Sequence, residues 1–218
     1  GKKSRFHDLY REGIMRGLGQ DFVLGLFEEV VRAVGFKRPE ELRAELRAWF
    51  GDEEIAKAAE RLYDPNFDRL RLWRWIAGVP LSRGDLDQLG QTQDLAESEA
   101  ARLADIIVTL GRLLRQLQGK TLVLILDEME RLRAIGPETI VTFMSGFTRL
   151  VDANQRAVSV LIGASAVTES EMVDVFSAGS PVGSRLGDAK IEIPALPDPD
   201  VERFIERMGM HAEAEGFT

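Results

Sequence analysis

An α/β fold is expected here, a large helical N-terminal half followed by a partial parallel sheet, and three observations carry that expectation. Apolar residues recur at spacings of three and four from residue 5 to about residue 118. After Gly119 the pattern switches to short, continuous apolar runs rich in β-branched residues. Those runs alternate with helical stretches, which implies parallel strands joined by right-handed crossovers. The expected divisions are 1–118 for the helical region, an insertion or partner-binding part, 119–197 for the partial α/β core, and 198–218 for a C-terminal helix.

The first helix is marked by Phe6, Leu9, Tyr10, Ile14 and Met15, and the second by Phe22, Leu26, Phe27, Val30, Val31 and Val34. "FVLGLF" (22–27) alone could be a strand, but the helical spacing continues to Val34, so a helix is expected. Pro39 opens "PEELRAELRAWF" in a position suited to a first helical turn, and Asp52 can cap "EEIAKAAERLY". "NFDRLRLWRWIAG" carries Trp73 and Trp75, expected in the core. The last helix of this half, from about Leu95 to Gln118, puts Leu103, Ile106, Ile107, Leu110, Leu113, Leu114 and Leu117 on one face.

"TLVLIL" (121–126) reads as a strand covered on both faces. A helix from Pro137 turns Ile140, Val141, Phe143, Met144, Phe147, Leu150 and Val151 inward, and "AVSVLIGASA" (157–166) is a second buried strand. Thr168 and Glu171 form a capping box for a short helix, "AKIEIPAL" is a third strand, and Pro199 opens a final helix with Val201, Phe204, Ile205 and Met208 buried.

Composition narrows the chemistry. At 218 residues and 44% hydrophobic the chain can build a proper core. A net charge of -8 offers no general attraction to phosphate backbones or anionic membranes. The absence of cysteine removes disulfides, thiolate zinc sites and cysteine nucleophiles together. His7 and His211 lie near opposite ends with no ligand spacing, and surface positions are expected for both. No apolar run reaches the length of a membrane span, and no signal core follows the basic start, so a cytoplasmic protein is the simplest expectation.

The chemistry-bearing stretch is "LVLILDEMERL" (122–132). Asp127 and Glu128 end a buried strand, where ligands gather in open α/β sheets. An acid there can hold a hydrated magnesium ion, and its neighbour can orient or deprotonate a water. Two acids equally end any strand that has reached solvent. A glycoside-type carboxylate site from Asp127, Glu128 and Glu130 is disfavoured, since no second carboxylate motif stands opposite them. Ser165, at the end of the next strand, could hydrogen-bond a water or phosphate, or be a simple loop serine. Arg185, ahead of the third strand, could reach a phosphate on a neighbouring subunit, or be an exposed arginine.

Taken in order, "LVLILDEMERL", "VLIGASA" and "GSRLGDAKIEIPALPDPDVERFI" resemble the Walker B, sensor 1, arginine-finger and following strand-helix segments of AAA+ P-loop ATPases. The nearest flavour is the origin-recognition ATPases and the ATP-binding proteins of bacterial phage-exclusion systems, and "LRLWRWIAGVPLSRGDLDQLG" is similar to a segment preceding Walker B in the latter. The resemblance covers residues 70–208. It implies ATP and Mg2+ as cofactors, Asp127 as the magnesium-associated acid and Glu128 as the base. It also implies Ser165 as the sensor, where many members carry Asn or Thr and where Ala166 is the alternative, and Arg185 as a finger acting across an oligomer interface. An ATPase serving DNA replication initiation or phage defence would follow, with DNA a possible partner of the assembly and residues 198–218 the start of a lid.

The phosphate loop that should accompany these segments, GxxxxGK[ST], does not occur in the sequence. "GKKS" at 1–4 echoes only its end, and "GSPVGSR" at 179–185 follows the sensor strand and lacks the lysine. The expectation is a chain beginning downstream of the loop; the competing one is a degenerate module that works as a non-catalytic interaction scaffold.

Overall fold

The computed structural model describes residues 5–127, 137–153, 157–163 and Arg203. The chain divides into two compact units, residues 1–185 and 186–218, and apart from Arg203 every described residue lies in the first.

The N-terminal segment is helical but not uniformly α: α1 (Arg5–Asp8) runs into a π-helical segment, Leu9–Met15, and then α2 (Arg16–Leu18). The wider turn lets Tyr10, Ile14 and Met15 share the buried side with Phe6. Helix α3 (Gln20–Val34) follows, so "FVLGLF" is helical. Phe22, expected inward, is only half-buried, while Val23 and Leu24 take the core positions beside Leu26, Phe27 and Val30.

Helix α4 (Pro39–Phe50) starts as the sequence implies: Pro39 sits in the first turn and Arg38 before it is extended. Helix α5 (Glu53–Glu60) is capped by Asp52, whose Oδ1 accepts from the Ile55 amide at 2.9 Å. In α6 (Arg69–Ile76) Trp75 is fully buried and its Nε1 donates to the Gln93 carbonyl, whereas Trp73 is only half-buried. Ser82 caps α7 (Arg83–Leu89). Leu95–Glu97 is a separate 3-10 turn capped by Asp94, so α8 (Ala100–Gln118) begins later than its apolar pattern suggests. The extended Ser98 and Glu99 interrupt the helix there.

Helix α8 is the spine. Leu103, Ile106, Ile107, Leu110 and Leu113 are buried along it, and it packs on α3, on α9 (Pro137–Ala153) and on both strands. Gly119, at φ 69°, ends it in the left-handed conformation and turns the chain into β1 (Leu122–Leu126). Strand β2 (Val158–Ile162) pairs parallel with β1, Leu122 opposite Val158 through Leu126 opposite Ile162.

The close fit between layers depends on two missing side chains. A methyl on Gly111 of α8 would lie 2.5 Å from a Val158 methyl and 2.8 Å from the Ala157 carbonyl oxygen. One on Gly146 of α9 would lie 2.7 Å from the ring of Phe6. Arg149 of α9 also reaches Asp105 of α8, Nε to Oδ1, at 2.6 Å.

One expectation fails here. Leu122, Leu124 and Leu126 are buried, but Val123 and Ile125 on the opposite face are 55% and 69% exposed, and Leu161 of β2 is 56% exposed. Among the described residues the strands are therefore covered on one face only. A continuous apolar run is identical in one-sided and two-sided strands, so sequence alone could not separate the two.

Candidate functional site

Strands of a parallel sheet point their carboxyl ends the same way, and the residues just beyond those ends share one rim. Here that rim is formed by Asp127 after β1 and Gly163 after β2, continuing the register past Leu126 and Ile162. The pairing holds to the last residue, with the Gly163 amide donating to the Leu126 carbonyl at 2.8 Å.

Asp127 is exposed, and its carboxylate leans across onto β2: a methyl on Gly163 would stand 2.5 Å from Oδ1 and 3.3 Å from Cγ. Residue 163 must therefore be glycine for the carboxylate to keep this position. An exposed carboxylate at a sheet's carboxyl end suits a hydrated divalent cation held through water. Among the described residues no three metal-ligating side chains converge.

Of the four residues singled out in the sequence, the structure places Asp127. Glu128, Ser165 and Arg185 lie outside the described residues, as do Glu130, Ala166, the Thr168–Glu171 capping box, the third strand and, apart from the helical Arg203, the final helix. Gly163 was not singled out, although "LIGAS" holds its signal: a glycine directly after an apolar strand.

His7, expected at the surface, is half-buried with Nε2 2.7 Å from the Ser98 carbonyl oxygen, tying the N-terminal helix to the entry of α8. A second charged cluster lies within the helical half. Arg102 of α8 grips both carboxylate oxygens of Asp52 and reaches Glu54 Oε2 at 2.8 Å. Burial would raise the Asp52 carboxyl, but the Arg102 hydrogen bonds, the Ile55 amide and the guanidinium charge outweigh it and hold it below the usual range. Asp52 is also the cap of α5, so this cluster is a brace between helices.

No helix among the described residues is long and apolar enough to cross a membrane. No family model, curated protein or solved structure matches this chain.

Proposed function

We propose that this chain supplies the Walker B edge of an ATP-hydrolysing, AAA+-like protein acting in a DNA transaction such as replication initiation or phage defence. The observation that carries the reading is the parallel β1–β2 pair with Asp127 on its carboxyl rim, leaning on the Gly163 seat. In this reading Asp127 orients a magnesium ion through water, and Glu128, next in the chain, takes the proton of an attacking water. Ser165 reads the terminal phosphate, and Arg185 reaches across an oligomer interface to developing charge. Magnesium-bound ATP would supply the bond to be broken. Its phosphates need a glycine-rich cradle that this sequence does not contain, so the cradle must be donated by further chain or by a partner.

A second reading, a non-catalytic scaffold, is favoured by the exposed Val123, Ile125 and Leu161 face, which suits a protein partner as well as it suits additional ATPase layers. One experiment separates them: binding of a fluorescent ATP analogue, with magnesium, to this chain and to the full product of its gene. Binding by the full product, with Glu128→Gln retaining affinity while turnover falls by about a hundredfold or more, supports the ATPase. Failure of both to bind leaves the scaffold.

A further inference from the structure

The four-residue link between α3 and α4 presents an aromatic ring to solvent from a rigid frame. Gly35 closes α3 at φ 69°, its amide bonded to the Val31 carbonyl at 3.0 Å. The Tyr63 hydroxyl lies 3.0 Å from both the Val31 and the Gly35 carbonyl oxygens, sharing its proton between them. Phe36 comes next and is 92% exposed, its ring edge-on to Tyr63 at 5.6 Å between centroids. Two residues later Arg38 is fixed in the extended conformation by Pro39. Phe36 thus lies between two defined backbone positions, with its ring in solvent.

Beside it is a hollow of about 330 Å³ walled by Val31, Leu62 and Tyr63, with Arg32 and Arg69 on its border. Arg69 is neutralised by Glu28 at 2.7 Å, while Arg32 is exposed and has no ion pair among the described residues. The hollow therefore combines an apolar wall, a pre-positioned aromatic and one unspent positive charge. A single exposed hydrophobic residue is ordinary on a protein surface. An exposed ring at the rim of a partly apolar hollow, in edge contact with Tyr63, is the arrangement of an interface anchor, with a large apolar area still to be buried on binding.

We infer that this hollow docks a peptide segment of a protein partner, which seats one large apolar side chain against Phe36 and Tyr63 and sets a nearby carboxylate on Arg32. One free cation matches one carboxylate. A nucleic-acid strand would need repeated cations along its phosphates, and among the described residues lining the hollow only Arg32 carries a charge not already met by an ion pair.

The test is selection of a displayed random dodecapeptide library on the intact chain, followed by affinity measurements with the synthetic consensus. Peptides sharing a large apolar residue a few positions from Asp or Glu should be enriched. The consensus should bind Phe36→Ser and Arg32→Gln about tenfold more weakly than the parent. Its Asp→Asn version should lose as much on the parent and little more on Arg32→Gln. Both substitutions are at exposed positions, and unchanged circular dichroism verifies folding. The inference is overturned by no consensus, by a consensus lacking an acid, or by equal binding to the variants. It also fails if the parent is a dimer that Phe36→Ser dissociates, or if oligothymidylate binds in a Phe36-dependent manner; those results assign the surface to self-association or to single-stranded nucleic acid.

Discussion

The fit of α8 against the sheet can be measured by adding one methyl group at Gly111 and comparing it with the same change at Gly25. Both glycines are inside helices, so each Gly→Ala change gains about 1 kcal/mol of helix propensity. Nothing lies within 4 Å of a methyl at Gly25. At Gly111 the methyl meets Val158 at 2.5 Å and the Ala157 carbonyl oxygen at 2.8 Å, and the second of these is backbone that cannot rotate away. Overpacking of a tight interface costs about 1–3 kcal/mol, and a backbone clash belongs at the upper end. Gly25→Ala should therefore stabilise by about 0.5–1 kcal/mol, and Gly111→Ala should destabilise by about 1–2 kcal/mol. In thermal unfolding followed at 222 nm the two variants should differ by about 3–12 °C in Tm. Equal stabilisation by both would refute the close approach of α8 to β2, and with it the packing that sets the height of the sheet rim.

Three further outcomes follow from the same contacts. Asp52 titrates below its unfolded value near 3.9, so its contribution is complete above that pH and lost as pH falls through the folded value. Arg102→Met should lower Tm at pH 7, and the gap from the parent should narrow by pH 3; a constant gap would count against the brace. Burial pushes the Tyr10 phenol up, and its hydroxyl donates to the Ile76 carbonyl. Its stabilising contribution is thus complete below about pH 10 and lost above it, and spectrophotometric titration should show a tyrosine that ionises only with alkaline unfolding and disappears in Tyr10→Phe. Gly163→Ala should cost about 1 kcal/mol, because what it strikes is the end of an exposed side chain, the Asp127 carboxylate, and not backbone. On the proposed ATPase reading it should lower magnesium-dependent ATP turnover of the full gene product about tenfold or more, and unaltered turnover would argue against a role for the rim.

Local chemistry made much of the fold legible in advance. Pro39 and Asp52 announce their helix starts because fixed φ and a short acceptor side chain act within one turn. The strands at 122–126 and 158–162 stand out because β-branched runs there replace helical spacing. What escaped depends on distant partners. The π-helical turn that buries Tyr10 is stabilised by a carbonyl 66 residues away. The exposed face of β1, the half-buried His7 and the close approach at Gly111 likewise arise from which surfaces meet. At the candidate site, Asp127 could be found from its place after an apolar run, but Gly163 could not be paired with it until the register of β2 was known. Phe36 lies in "GFKRP", where the flanking glycine and proline signal a turn but not that Tyr63 would pin it.

The helical half and the rim are mechanically one object. Two parallel strands are too few to hold their own geometry in water, and parallel sheets ordinarily need cover on both faces. Here α8 and α9 supply the cover on one face, through Gly111 against β2 and through the Arg149–Asp105 pair that fastens α9 to α8. Asp127 therefore stands where it does because α8 holds β2, and β2 ends in the glycine on which the carboxylate rests. A perturbation of α8 should thus be felt at Asp127 although no residue of the rim is altered. In isotope-labelled protein, Gly111→Ala should shift the amide resonances of Asp127 and Gly163 strongly, and Gly25→Ala should leave them in place. Unmoved rim resonances in Gly111→Ala would mean that the sheet end is positioned independently of the helix beneath it.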